Sequence, residues 1–343
     1  MNLNNIKIKN FKSLRDIEIH LSNLTLITGV NSSGKSSFIE VLLLFIEAKK
    51  DLITLKNPKE VLYQEAHDEK IILTINNLTI EGDNKKYYYN SSHLKEEKLN
   101  LFSNKFQYIN TNRVPPQQSY SISDDDIKNN LIGSQGEYTA HYLNVNKNNR
   151  IINSLKHQKA KTSRLLENVS LWLSEISGGI EIGTEIYTSL KKVSLFYRYN
   201  YQNKKTDKYT PLNVGFGLTF VLPVIVAILK AKEGDLLIIE NPESHLHPAG
   251  QSKIAELCAI ASANDVQIIV ETHSDHFLNG IRVATKKGVL TPEQSKVYYF
   301  RKDKDELETK IDEINIDKNG GIDNYPKGFF DQFDDDLDEL LGL

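Results

Sequence analysis

The octet Gly29-Val30-Asn31-Ser32-Ser33-Gly34-Lys35-Ser36 constrains this chain most. It follows Leu24-Thr25-Leu26-Ile27-Thr28 without a break, a β-prone and mostly apolar run of the kind buried on both faces of a sheet. Ser36 to Glu47 then sets Phe38, Val41, Leu42, Phe45 and Ile46 on one helical face. A strand, a glycine loop and a helix in that order make a phosphate cradle. Backbone N–H groups unhindered at Gly29 and Gly34 converge on phosphate oxygens at a helix N-terminus. In such a cradle Lys35 reaches the β- and γ-phosphates and the Ser36 hydroxyl goes to Mg²⁺, with Asn31, Ser33 and Ser37 among the residues around the cofactor. The expected cofactors are ATP and Mg²⁺.

The matching half of the site lies far along the chain. Leu236-Leu237-Ile238-Ile239 leads into Glu240, an apolar strand delivering a carboxylate at its C-terminal edge, where open α/β sheets hold their ligands. Glu240 is expected to orient magnesium. A second strand, Val266 to Val270, precedes Glu271-Thr272-His273-Ser274-Asp275, with His273 exposed between small neighbours. Helices are expected at about 217–231 and 249–263. Between the two halves, Ile71 to Ile75, Leu78 to Ile80 and Lys86 to Tyr89 read as an antiparallel meander.

Lys plus Arg number 42 against 45 for Asp plus Glu, a formal charge of −3, so any nucleic-acid surface must be local. Lys147, Arg150, Lys156, Lys159, Lys161 and Arg164 precede the first acid, Glu167, with Ile151, Ile152, Leu155, Leu165 and Leu166 to anchor one side. This segment is expected to be a basic helix from about Asn148 to about Ile176, its charges through 147–164 either tracking DNA phosphates or forming a solvated helix face. The single cysteine, Cys258, excludes an intrachain disulfide and suits a reducing cytoplasm. The longest apolar run, Phe216 to Leu229, is too short and too interrupted by Gly217 and Pro223 to cross a bilayer, so no membrane role is expected. Phe329, Phe330, Phe333, Leu337, Leu340 and Leu341 at helical spacing suggest a terminal amphipathic helix, docked on its own body or on a partner.

Residues 239–248, Ile-Glu-Asn-Pro-Glu-Ser-His-Leu-His-Pro, resemble the extended Walker B segment of ABC-type ATPases of the SMC, RecF and OLD group. The resemblance is closer to small prokaryotic ABC ATPases of antiphage systems, Septu-type or retron-associated. Asn10-Phe11-Lys12-Ser13, Gly136-Glu137-Tyr138 and Gly328-Phe329-Phe330-Asp331-Gln332 belong to it. It implies an α/β ABC-ATPase head, a P-loop NTPase with an inserted antiparallel β-lobe and a helical lobe. Its parts would be 1–50, 51–205 with the insertions, 206–318, and a docking element at 319–343.

The same resemblance makes Val214 to Thr219 the ABC signature, so that Gly215 and Gly217 face the nucleotide of a second subunit in a homodimer. It makes His273 the switch histidine, puts Lys12 near the cofactor, and gives His245 and His247 to a dimer loop. Arg113 resembles a family arginine, and Gln64 is the nearest candidate for a Q-loop glutamine. A separate effector, a nuclease, is the implied partner; no TOPRIM domain follows His273, so no intrinsic nuclease is expected.

One departure matters chemically. Asn241 stands where these enzymes carry a catalytic glutamate, and an amide takes no proton at neutral pH. General-base assistance of about 10²–10⁴-fold would be lost. Glu243 is then the leading candidate for residual base catalysis, and hydrolysis is expected to be slow. The competing readings are a repair or recombination clamp acting on DNA directly and a non-hydrolysing scaffold.

Overall fold

The computed structural model describes residues 1–49, 58–66, 68, 70–82, 87–89, 99–201, 204–303 and 307–342. The period-two alternation at the N-terminus folds as a hairpin, β1 (Asn5–Phe11) and β2 (Leu14–His20), with inward apolar residues buried. β4 (Ile71–Ile75), β5 (Leu78–Gly82) and β6 (Tyr87–Tyr89) form the expected meander; Lys86, assigned to its last strand, lies outside the described residues. The meander does not stand alone. β4 pairs antiparallel with β1, Ile6 opposite Ile75, giving a five-stranded sheet of order β2-β1-β4-β5-β6.

The apolar runs that carry the motifs become the centre of a second, six-stranded sheet. β3 (Leu24–Gly29), β12 (Leu236–Glu240) and β13 (Gln267–Glu271) join β7 (Phe106–Ile109), β14 (Ser295–Lys302) and β15 (Thr309–Ile314) in the order β15-β14-β3-β13-β12-β7. All neighbours are parallel except β14 and β15. Alternation splits its side chains between two cores. Leu24, Leu26, Leu237, Ile239, Ile268 and Val270 pack on the helices Phe216–Lys230, Pro248–Ser262 and Asp275–Lys286. Ile27, Leu236, Ile238 and Ile269 pack on the helix Lys35–Lys49 and the five-stranded sheet. Cys258 is free and fully buried in the first core.

Beyond that helical layer, the helices Thr139–Asn146 and Leu165–Ser177 pack on the third sheet, built from β8 (Tyr120–Ser121), β9 (Ile180–Tyr187), β10 (Lys192–Tyr201) and β11 (Lys204–Lys205). Here the sequence reading needs correction. Residues 147–164 are not helical apart from one 3₁₀ turn, Asn153–Leu155; the helix begins only at Leu165. The segment doubles back, Ile151 N–H donating to the Ser163 carbonyl at 3.0 Å and Leu165 N–H to that of Asn149 at 2.9 Å. Side chains outbid the helix for backbone groups. Glu167 accepts the Lys161 and Thr162 N–H groups at 2.7 and 3.0 Å, and Asn168 Oδ1 accepts that of His157 at 2.9 Å.

The C-terminal element docks through its first residues. Phe329 is buried, its ring 5.4 Å from Tyr299 and 5.0 Å from Phe330. Along the helix Gln332–Leu341 that follows, Leu337, Leu340 and Leu341 are 41, 83 and 64% exposed. Among the described residues no helix is long and apolar enough to cross a membrane.

Candidate nucleotide site

Because β3, β13 and β12 run parallel, their C-terminal ends open on one edge, with β13 between the other two. The glycine loop leaves β3 there under tight constraint. Gly29 has φ +142°, and a Cβ on it would stand 2.0 Å from the Phe300 carbonyl oxygen of β14. Gly34 has φ +102°, with Thr309 Oγ1 of β15 2.5 Å from where its Cβ would be. Thr309 braces the loop, its hydroxyl 2.8 Å from the Ser33 carbonyl and its N–H donating to the Ser13 carbonyl at 2.8 Å. Lys35 is 4% exposed and curls over its own loop, Nζ donating to the Gly29 and Val30 carbonyls at 2.9 and 2.8 Å. Burial lowers its pKa, opposed by the charge of Glu271. Ser33 is buried, Ser37 half-buried, and Asn31 and Ser36 are exposed.

Two carboxylates end adjacent strands in register, Glu240 opposite Glu271. Glu240 is fully engaged: Tyr108 donates to Oε1 at 2.6 Å and Thr111 Oγ1 to Oε2 at 2.8 Å. Glu271 is 4% exposed, Oε1 lies 3.5 Å from Ser36 Oγ, and Oε2 is buried with no hydrogen-bond partner. Burial first, then the Glu240 charge, pushes its carboxyl up to about 7, with Lys35 opposing. The sequence reading assigned no role to Glu271. The signal was present: an apolar strand ending in an acid, the same pattern that identified Glu240.

The chain turns sharply after Glu240. Asn241 has φ +44°, and its N–H donates to the Glu271 carbonyl at 2.7 Å. Arg113, 3% exposed, donates to the carbonyls of both Glu240 and Asn241, the latter at 3.1 Å. Burial lowers its guanidinium to about 10, against the charges of Glu243 and Glu240. The arginine whose job the sequence left open thus holds the turn. Glu243 is 8% exposed; Oε1 accepts the His273 N–H at 2.9 Å, while Oε2 is buried without a partner. Burial raises its carboxyl, opposed by hydrogen bonds and Arg113. His273 is exposed, and partial desolvation with the Lys35 charge keeps its imidazole below the ordinary value.

The remaining sequence candidates sit around this edge. Gly215 caps the helix Phe216–Lys230 in open space, with nothing within 4 Å of where a Cβ would stand. Gly217 packs on a loop of its own chain, where a Cβ would be 2.4 Å from the His245 carbonyl oxygen. Phe216 is 43% exposed and stacks on Phe220 at 4.4 Å. His247 caps the helix Pro248–Ser262, its ring accepting the Ala249 N–H at 3.3 Å. Lys12 pairs with Glu40 on the helix that follows the loop. Gln64 lines a separate cleft of about 280 Å³ with Lys12, Ser13 and Tyr63. Another cleft, about 300 Å³, lies between Gly29, Val30 and His273 on one side and Gly328, Phe330, Asp331 and Gln332 on the other.

No group of three or more His, Cys, Asp or Glu among the described residues can hold a metal by itself. Magnesium needs fewer, since it keeps waters and takes phosphate oxygens. The Ser36 hydroxyl beside an unsatisfied carboxylate suits that chemistry.

Solved structures share this architecture at low identity. An Smc head bound to the C-winged helix domain of ScpA matches with a TM-score of 0.59 and 12% identity, over 92% of this chain and 99% of that one. An Smc head domain with an extended coiled coil, bound to the C-terminal domain of ScpA derived from Pyrococcus furiosus, matches at 0.55 and 12%, over 99% of each. The fold is that of an SMC-type ABC-ATPase head, a P-loop NTPase. No curated protein sequence matches. Residues 290–340 match a family described as "Protein of unknown function (DUF3696)". Residues 24–279, the greater part of the molecule, match the family described as "AAA domain, putative AbiEii toxin, Type IV TA system", and the chain belongs to it.

Proposed function

We propose that this chain is a slow, ATP-gated regulatory ATPase that closes as a homodimer around a pair of ATP molecules and controls a separate effector, a nuclease, in an antiphage system. The observation that carries this reading is the single sheet edge on which the glycine loop, Glu240, Glu271 and His273 converge. Gly29, Asn31, Ser33, Gly34, Lys35, Ser36 and Ser37 cradle the phosphates, with Lys12 near the nucleotide. Gly215 and Gly217 bring a helix N-terminus, with its partial positive charge, to the partner's γ-phosphate. Ser36 and Glu240 would hold magnesium, which when bound offsets charge on the β- and γ-phosphates.

Slow turnover follows from Asn241, whose amide accepts no proton where a catalytic glutamate would. Glu243, with one oxygen on the His273 N–H and the other unpartnered, is the residual base. Control of a second polypeptide is supported by the toxin–antitoxin description of the family and by the Smc heads, which carry ScpA domains. The exposed leucines of the helix Gln332–Leu341 offer a surface for such a partner. A cytoplasmic setting suits the single buried thiol.

A second reading, a clamp acting on DNA directly, is favoured by a basic cleft. About 730 Å³ in volume, it is lined by Lys147, Lys159, Lys161, Arg164 and Lys205. Its acids are engaged: Glu167 by backbone N–H groups and Glu181 by Lys205 at 2.6 Å. Purification from the native host, followed by ATP turnover with and without duplex DNA, separates the readings. A tightly held second polypeptide with DNA-independent turnover supports the regulator. DNA-stimulated turnover without one supports the clamp. ATP retained unhydrolysed through purification would instead indicate a scaffold.

A further inference from the structure

Glu240 is the acid that the motif assigns to magnesium, yet its two oxygens are both occupied, by Tyr108 and Thr111. The carboxylate one strand nearer the glycine loop differs in every respect that matters for a cation. Glu271 sits at the end of β13, which pairs directly with β3 and so stands between Glu240 and the loop. It is 96% buried by the complement of its 4% exposure, and Oε2 has no hydrogen-bond partner. Buried polar groups in native proteins are satisfied, and an exception calls for a ligand or ion to complete it. The other oxygen lies 3.5 Å from Ser36 Oγ, the hydroxyl that the cradle motif directs at the metal.

We infer that Glu271 and Ser36 together form the protein's side of the divalent-cation site, with Glu240 set behind them as a neighbouring charge held by Tyr108 and Thr111. The inference rests on the nucleotide reading above but moves the protein's carboxylate ligand from Glu240, whose oxygens are taken by Tyr108 and Thr111, to Glu271. A hydroxyl and one carboxylate would be enough, because phosphate oxygens and waters would supply the remaining ligands. The nearby Glu240 charge adds to the pull on the cation without reaching it, as outer acids do around metal ligands.

The test uses the full chain and Mn²⁺ as the spectroscopic stand-in for Mg²⁺. Mn²⁺ binding in the presence of ATP is followed by electron paramagnetic resonance, and ATP binding in EDTA by calorimetry. Glu271→Gln should weaken Mn²⁺ by more than the roughly 10–100-fold that losing an outer residue costs, and by more than Glu240→Gln does, while leaving ATP affinity in EDTA equal to or above that of the wild type. Glu271→Asp should recover part of the lost affinity. Circular dichroism and thermal melting report whether each variant is folded; because Gln mimics the protonated acid, Glu271→Gln should melt at or above the wild-type temperature. Mn²⁺ affinity of a folded Glu271→Gln within about twofold of wild type would overturn the inference, as would a full loss confined to Glu240→Gln. Failure of the wild type to bind ATP in either condition would instead overturn the nucleotide reading. If Glu271→Gln fails to fold, Glu271→Asp decides alone: a weakened Mn²⁺ site supports the assignment, and an unchanged one removes it.

Discussion

The strand edge and the basic cleft of the outer lobe both gather charge, and they do so under opposite rules. At the edge, Lys35, Arg113, Glu243 and Glu271 are each 8% exposed or less, and two of the carboxylates keep an oxygen without a partner. In the cleft, the charges are solvated, and Glu167 is satisfied by the loop around it. Burial makes the edge stereospecific and intolerant; exposure makes the cleft additive and salt-sensitive. Backbone geometry divides the same way. The edge holds Gly29, Gly34 and Asn241 at positive φ, whereas the cleft segment closes by ordinary turns.

The largest expected effect is at Gly29. Gly29→Ala drives a methyl into the Phe300 carbonyl and should cost more than about 3 kcal/mol, abolishing ATP binding. Gly215→Ala, in open space, should melt with the wild type, and equal melting of both variants would break the contrast. Next comes Arg113→Met. It strips the carbonyls of Glu240 and Asn241 of their donors and removes the positive charge that opposes burial of Glu243, an expected loss of about 3 kcal/mol in denaturant unfolding. A loss below about 1 kcal/mol would mean that the turn does not depend on it.

Reversing Lys147, Lys161 and Arg164 to Glu should leave unfolding within about 0.5 kcal/mol of wild type. If the cleft tracks phosphates, the same variant flattens the salt dependence of DNA binding by a slope of roughly 3, read by fluorescence anisotropy. An unchanged slope would remove the cleft from DNA contact.

The smallest effect is a difference in sign with pH. Glu271 has its carboxyl raised from about 4.5 to about 7, so its contribution to stability is present below 4.5 and lost as pH rises through 7. Glu167 is held below its ordinary value, chiefly by the Thr162 hydroxyl, so its contribution is present above 4.5 and lost as pH falls. Melting curves of Glu271→Gln should therefore lose a decline toward neutral pH, and those of Glu167→Gln a decline toward acid.

Much of the edge was legible because its signals are local. A glycine loop between a buried strand and an amphipathic helix, and an apolar strand ending in an acid, each need only a dozen residues to announce themselves. Glu271 escaped notice since the histidine two residues on drew the reading of that strand end. Tyr108, Thr111 and Arg113 act through contacts more than a hundred residues long in sequence, which spacing does not encode. The basic segment misled for a physical reason. Its apolar and cationic residues fit a helical period, but Asn149, Ser163 and Asn168 tie it into turns, and periodicity carries no record of that competition. The terminal leucines fit a helix and form one, yet the docking belongs to Phe329 before it.

The bracing of the glycine loop has a consequence for what counts as the unit here. Residues 24–279 carry the family likeness, yet the atoms that clamp Gly29, Ser33 and Gly34 come from Ser13, Phe300 and Thr309, outside that span on both sides. A fragment cut to the family borders would keep the glycine loop, Glu240 and His273 and lose the scaffolding that shapes the loop. Homology and mechanical integrity therefore draw different outlines on this molecule, and transplanting the loop between relatives means moving three distant stretches together.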